Sequence, residues 1–369
     1  MIRILFFIDT TLASGGAEKV LRELVNNMDQ SKFDITVQTL WKEDAEKYLA
    51  SGIRYRYLFE EKSRVNKYLF RLESALGLTY RLHMQDDYDI EVAYLECGPT
   101  KILAQSHNKK AKKVAWVHCD LAKMTSDVGK FVRKAQDWYK CFDHVACVSR
   151  HTMHRYQEMF PNNTQSSVIY NTVDDAQIRS RASEPLAPEK QPRNVTFATV
   201  GRMYPQKGYD RLLEAHRRLI SEGFGYDLWI LGDGPERPMY EKFIAENNLE
   251  ESVHLLGFQK NPYPFIQAAD CIVCSSRYEG FSTVVTEAMI LGKPVVTTPC
   301  SGMDELLGDN EFGLITEDSV EGIYQGMKRM LEDAELRAHY AQKAAIRGKD
   351  FSKEKLVKQT EQFFEDLLK

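Results

Sequence analysis

The sequence predicts an α/β protein built on two doubly wound parallel sheets, and three observations carry that expectation. At 369 residues the chain is longer than one hydrophobic core ordinarily serves. Short apolar runs, as expected of strands buried on both faces, alternate with helical periodicity along most of its length. Near residue 176 the character changes to a polar stretch containing Pro185, Pro188 and Pro192, which reads as a linker. The expected division is therefore a Rossmann-like domain over 1–175, a linker over 176–193 and a second Rossmann-like domain over 194–351.

Composition narrows the class. Hydrophobic residues at 43 % and charged residues at 28 % fit a soluble globular chain, and a net charge of -4 gives no support for nucleic-acid binding. The seven cysteines are odd in number and scattered, mostly inside apolar runs, so reduced thiols in a cytoplasmic protein are expected rather than a disulfide framework. Cys271 and Cys274 form a C-x-x-C within a strand, with no second pair, so neither metal nor redox work is expected there. The apolar run ending at Ile8 is too short for a signal sequence, and no run of about 18 apolar residues would cross a bilayer. Attachment to a membrane surface stays open.

In the first half, strands are expected at Ile2–Ile8, Asp34–Leu40, Ile53–Leu58, Ile90–Leu95, Lys113–Val117, His144–Val148 and Val168–Tyr170. After the first strand, Gly15 and Gly16 enter a helix whose Val20, Leu21, Leu24 and Val25 share one side. Backbone N–H groups at such an entry suit an anion, although any βα turn uses glycine. Lys62 to Arg81 reads as one amphipathic helix, with Val65, Tyr68, Leu69, Leu72 and Leu76 on one face and Arg64, Lys67 and Arg71 on another. With Lys109, Lys110, Lys112 and Lys113 it suits anionic headgroups; an ordinary packed helix with a wet basic face is the alternative.

Ligands of doubly wound sheets sit beyond the carboxyl ends of strands, so residues there matter most. His118 ends the run K-V-A-W-V-H, with Asp120 two residues on. A neutral imidazole there suits a hydroxyl or a leaving group, and the aspartate an acceptor; a satisfied structural histidine is the ordinary alternative.

The second half opens with V-T-F-A-T-V-G-R-M-Y-P-Q-K-G, a strand over Val195–Val200 and a loop bearing Arg202 and Lys207. Two cations at a strand's carboxyl end neutralise a diphosphate, and arginine does so in bidentate fashion. Gly232-Asp233-Gly234 ends the next strand, and Val253–Phe258 forms another. Then comes Arg277 to Val296: a turn through Gly280, a helix capped by Ser282 or Thr283 and running to about Leu291, stopped by Gly292 and Pro294, and a strand over Val295–Thr298. Glu279 precedes the glycine and Glu287 lies one turn into the helix. Two acids flanking a phosphate-ready helix mouth suit a nucleotide sugar, with Glu287 on the ribose, the N–H groups of Gly280, Phe281, Ser282 and Thr283 on the phosphates and Glu279 on the sugar.

The segment E-G-F-S-T-V-V-T-E-A-M-I-L-G-K-P-V-V resembles the E-x7-E unit of retaining family-four glycosyltransferases, and G-R-x(4)-K-G resembles their phosphate-binding signature. Weaker likenesses fall in the same order: G-G-A-E after the first strand, a strand-end histidine at His118, the hinge-like Y-N-T-V-D with Thr172 in place of the usual glycine, and L-L-G-F, whose counterpart holds the base through the backbone at Phe258. Cys119 separates His118 from Asp120, where many relatives have the two adjacent.

This resemblance implies a GT-B fold, two Rossmann-like domains facing across a cleft, with a last helix over 352–369 crossing back onto the first. It implies retaining transfer of a sugar from a nucleotide-sugar donor, UDP-hexose or UDP-N-acetylhexosamine, to a glycan acceptor linked to polyprenyl diphosphate, in bacterial capsule, exopolysaccharide or oligosaccharide synthesis. It also implies a cytoplasmic enzyme that needs no metal or cofactor and touches the inner face of the membrane through its first domain. The donor would meet Gly15, Gly16, Arg202, Lys207, Gly232, Asp233, Phe258, Glu279 to Thr283 and Glu287; His118, Glu279, Arg202 and Lys207 would carry the chemistry, and Asp120 would face the acceptor. Two other readings remain, a sugar-nucleotide 2-epimerase of the same fold and a non-catalytic sugar-nucleotide-binding partner.

Overall fold

Isoleucine, leucine and phenylalanine fill Ile4 to Ile8 without interruption, and all five side chains are wholly buried, because this strand lies mid-sheet with helices over both faces. The structure, a computed structural model, describes residues 1–13, 15–84, 87–163 and 165–369. Seven strands form the first sheet: β1 (Ile2–Ile8), β2 (Phe33–Trp41), β3 (Arg54–Phe59), β4 (Ile90–Ala93), β5 (Lys112–Val117), β6 (His144–Cys147) and β7 (Gln165–Val168). Their order is β3-β2-β1-β4-β5-β6-β7, so the winding reverses between β1 and β4. The second sheet has β8 (Thr196–Val200), β9 (Asp227–Leu231), β10 (Val253–Gly257), β11 (Cys271–Cys274), β12 (Val295–Thr297) and β13 (Leu314–Ile315), in the order β10-β9-β8-β11-β12-β13. It reverses between β8 and β11. Adjacent strands pair in parallel throughout, as in β1 on β2 and β8 on β9.

The chain divides into one unit of residues 1–173 with 354–369, and a second of 174–353. In the first, the helix Lys353–Leu367 buries Leu356, Val357 and Phe364; the Phe364 ring lies 5.8 Å from that of Phe6, and Lys32 pairs with Glu365 at 3.0 Å.

Three expectations need correction. Residues 176–193 are not simply a linker: Asp174 caps a helix over Asp175–Ala182, accepting the Gln177 N–H at 2.9 Å, and Ile178 and Ala182 are buried in the second unit. Its prolines all lie beyond Ala182 and never interrupt it. The single helix expected over Lys62–Arg81 is two, Arg64–Leu76 and Thr79–His83, because Gly77 adopts a left-handed φ of 72° that ends the first. The last strand of the first sheet is Gln165–Val168 rather than Val168–Tyr170. Its polar Gln-Ser-Ser at the sheet edge, with Gln165 exposed and the two serines half-buried, carries no apolar signature.

Candidate active site

Polar and charged side chains gather near the switch point of each sheet. In the second unit, Ser282 caps the helix Thr283–Ile290, its Oγ accepting the Val285 N–H at 3.4 Å while its carbonyl accepts from the Thr286 hydroxyl at 2.9 Å. The other helix-mouth N–H groups lie beside Gly280 and the buried Phe281. Just upstream, the Glu279 Oε1 accepts from the Lys207 ammonium at 2.7 Å and from the Ser276 hydroxyl at 2.6 Å. Glu279 is 8 % exposed. Burial alone would lower the Lys207 pKa, but the adjoining Glu279 carboxylate outweighs it and holds the ammonium well above the ordinary lysine range. The Lys207 stem passes over Gly201, where an added Cβ would stand 3.0 Å from Lys207 Cε and 2.8 Å from the Tyr209 hydroxyl.

The loops bearing Lys207 and Glu279 are stitched together. The Arg277 guanidinium grips Asp210 with two hydrogen bonds, of 2.9 and 2.6 Å, and the Pro205 carbonyl at 2.6 Å. The Arg277 N–H donates to the Gln206 carbonyl at 2.7 Å, and the Gln206 amide returns a bond to the Tyr278 carbonyl at 3.0 Å. Gly208 must be glycine: its φ is 63°, and a Cβ would come within 2.3 Å of the Ser275 carbonyl oxygen.

Arg202 is exposed, its guanidinium 5.4 Å from the Tyr204 ring centroid, and it forms no ion pair among the described residues. Gly232, at φ 133°, brings the end of β9 against Gly201, where a Cβ would stand 2.0 Å from the Gly201 carbonyl oxygen; Asp233 is exposed and its carbonyl accepts the Met203 N–H at 2.9 Å. Phe258 lies just past β10 and is 76 % exposed, whereas Glu287 is buried, 3.5 Å from the Tyr263 hydroxyl. Arg202, Lys207, Gly232, Asp233, Phe258, Glu279 to Thr283 and Glu287 thus belong to the second unit; Gly15, Gly16, His118 and Asp120 belong to the first.

In the first unit Gly15, at φ 120°, precedes the helix Gly16–Asn27, and the Glu18 carboxylate lies over it. His118 follows β5. Its ring hydrogen-bonds the Tyr94 carbonyl, while Nε2 is buried with no partner among the described residues; the Tyr94 bond therefore falls to Nδ1 and leaves Nε2 as an acceptor. Burial lowers the His118 pKa to about 3, so the imidazole is neutral at physiological pH. Asp120 is buried at the start of a short turn, accepting the Ala122 N–H at 3.0 Å, with Arg155 and His151 at 3.6 and 3.8 Å. Those bonds tie it to the fold. Among the described residues no group of three or more His, Cys, Asp or Glu side chains is placed to hold a metal ion.

One acid escaped the sequence reading. Glu96, just past β4, turns its Oε1 onto the backbone N–H groups of His118 and, at 3.0 Å, Cys119. Burial pushes its pKa up, opposed by these donors. The signal that found His118, a polar residue at the carboxyl end of an apolar strand, also marks Glu96 in A-Y-L-E-C-G.

The neutral imidazole has a pH consequence. A histidine whose folded pKa is depressed lets the unfolded chain take up the proton first, so stability is lost as pH falls from 6.5 toward 3. A His118→Asn variant is expected to lose less stability than the parent over that window, by up to about 1.4 kcal/mol per pH unit. Urea unfolding at a series of pH values checks this, and parallel curves would refute it.

Two parallel α/β sheets, each with one reversal of winding and glycine-tight strand ends, define a GT-B fold. The glycosyltransferase family 4 model matches residues 14–177, and the glycosyl transferases group 1 model matches residues 181–347. The chain belongs to the family-four glycosyltransferases.

Among curated relatives it is 38 % identical over 193 residues to the Campylobacter jejuni N-acetylgalactosamine-N,N'-diacetylbacillosaminyl-diphospho-undecaprenol 4-alpha-N-acetylgalactosaminyltransferase, covering 52 % of this chain and 51 % of that protein. It is 31 % identical over 172 residues to the lipopolysaccharide core biosynthesis glycosyltransferase LpsE of Rhizobium meliloti, covering 46 % of each. The chain thus spans about half the length of these relatives. Among solved structures, Anabaena HepE in complex with UDP-glucose superposes with a TM-score of 0.80 at 20 % identity, covering 99 % of this chain and 100 % of that one. Sucrose-phosphate synthase from Thermosynechococcus elongatus gives 0.79 at 16 %, covering 100 % and 99 %. At these identities the likeness is one of fold.

Proposed function

We propose that the protein transfers a hexose or N-acetylhexosamine from a UDP-sugar to a glycan carried on polyprenyl diphosphate, with retention at the anomeric carbon. The observation that carries this reading is the Lys207 ammonium held beside Glu279 at the mouth of the helix Thr283–Ile290, with Arg202 exposed just past the end of β8. A diphosphate set there meets two cations and backbone N–H groups, fixed charge that stabilises the leaving group without a metal. Glu287 takes the ribose hydroxyls and the Phe258 backbone the base. Gly232 and Asp233 close the nucleotide side; in the first unit, Gly15 and Gly16 offer N–H groups that suit an anion. The acceptor hydroxyl attacks the face that the diphosphate leaves, and its proton passes to the departing phosphate. Glu279 orients the sugar hydroxyls, and neutral His118 accepts a hydrogen bond from the sugar through Nε2. The Campylobacter relative, named for transfer onto a diphospho-undecaprenol glycan, supports this choice of acceptor.

The reading includes contact with the membrane surface, supported by the helix Arg64–Leu76, which buries none of its residues. Val65, Tyr68 and Leu76 are 66 %, 67 % and 62 % exposed, with Arg64, Lys67 and Arg71 on the same helix. Flotation with phosphatidylglycerol vesicles is expected to carry the protein upward, and a Val65→Ser/Leu72→Ser/Leu76→Ser variant to stay below. Equal behaviour of the two would remove the membrane from the account.

Turnover is tested by presenting UDP-hexoses and UDP-N-acetylhexosamines with and without polyprenyl-diphosphate glycans, and following free UDP and the anomeric configuration of the product. Acceptor-dependent UDP release with an alpha product from an alpha donor is expected. An epimerised nucleotide sugar without acceptor would assign the 2-epimerase reaction instead, and donor binding without any turnover would make the protein a binding partner.

A further inference from the structure

We infer that Glu96 is a positioning residue for transfer, holding the turn that presents His118. This rests on the role given to His118 above. Glu96 is 9 % exposed, and its carboxylate spends Oε1 on the N–H groups of His118 and Cys119, with the Cys119 thiol also donating at 3.5 Å. Two residues earlier on the same strand end, the Tyr94 carbonyl takes the imidazole N–H. The His118 backbone and ring are thus both set by residues 94 to 96, and the ring is further confined between Tyr94, at 4.7 Å between centroids, and Trp116, at 6.3 Å and 15°. What this apparatus fixes in place is one unpaired, buried acceptor, Nε2.

The strand end is built at some cost to reach this arrangement. Cys97, next to Glu96, is held at φ 60°, ψ -90°, outside the regions favoured by residues with side chains. Gly98 follows because a Cβ there would stand 1.9 Å from the Asp9 carboxylate. A serine or asparagine would cap a strand end without burying a carboxylate. A carboxylate reaching across to the next strand, onto the turn that carries the site histidine, fits a demand for placement, since misplacing a reacting group by about 1 Å costs about 10²-fold in rate.

Glu96→Ala removes the acceptor, Glu96→Gln keeps an oxygen of the same reach without the charge, and Glu96→Asp keeps the charge with a shorter reach. With the UDP-sugar and acceptor that give turnover, kcat is expected to fall about 10²-fold in Glu96→Ala. It should fall less in Glu96→Asp and recover to within a few-fold of the parent in Glu96→Gln, while the thermal shift produced by UDP alone is retained in all three. Should Glu96→Ala fail to fold, the order of the aspartate and glutamine variants decides. Unchanged kcat in both Glu96→Ala and Glu96→Asp overturns the inference, and so does Glu96→Gln slower than Glu96→Asp, which would assign the function to the charge. His118→Ala is measured alongside. Full turnover in that variant would dismiss the histidine's own role, whereas its loss with an active Glu96→Ala would dismiss only the positioning.

Discussion

Lys207→Ala is expected to lower kcat/KM about 10²- to 10³-fold and to weaken UDP binding, the loss typical of removing one preorganised donor from a developing negative charge. Arg202 still meets the diphosphate but does not take the place of Lys207 beside Glu279, and Arg277 is committed to Asp210. Stability should fall as well. Without the ammonium, the Glu279 carboxylate keeps, among the described residues, the Ser276 hydroxyl as its side-chain donor in a nearly closed environment, for which a loss of about 2 kcal/mol is expected. The sign with pH follows from the raised Lys207 pKa. The contribution is complete below the ordinary lysine value of 10.5 and is lost only as pH rises through the folded value, so the difference between variant and parent should be flat across the neutral range. Urea denaturation at pH 6 to 9, with UDP titration beside it, checks both parts; parent-like UDP affinity would contradict the assignment.

Glu279→Ala should show the opposite pattern. Glu279 and a diphosphate would compete for the same ammonium, so deleting the carboxylate releases Lys207. UDP affinity is expected to hold or rise while kcat falls about 10²-fold or more, because the hydroxyls of the transferred sugar lose their acceptor. Separate measurement of UDP binding by calorimetry and of turnover at saturating donor distinguishes the two. Turnover equal to the parent's would remove Glu279 from the chemistry.

How much of this could be read from the chain depended on whether a feature was local. Most strands of both sheets announce themselves as short apolar runs, Gln165–Val168 being the exception, and the helix after Gly280 is bounded by a serine cap and by Gly292 and Pro294, all near in sequence. The Lys207–Glu279 pair joins residues 72 apart, so the sequence supplied its two members but not their contact. The Arg277–Asp210 clamp was missed for the same reason. The helix Asp175–Ala182 was hidden because weak amphipathicity and the prolines after it resemble a linker; Ile178 and Ala182 find their partners only in the folded second unit. Glu96 was missed because its partners are backbone N–H groups, which leave no trace in residue type. The bare helix Arg64–Leu76 shows the converse: its apolar face was plain in the sequence, but only the structure leaves that face uncovered.

The central claim concerns where a diphosphate rests, and a crystal structure of the protein with UDP tests it most directly. The two phosphates are expected within hydrogen-bonding distance of Arg202, Lys207 and the N–H groups at Gly280 to Thr283, with Lys207 drawn from Glu279 toward the ligand. UDP bound elsewhere, with Lys207 still paired to Glu279 and the helix mouth empty, would contradict it.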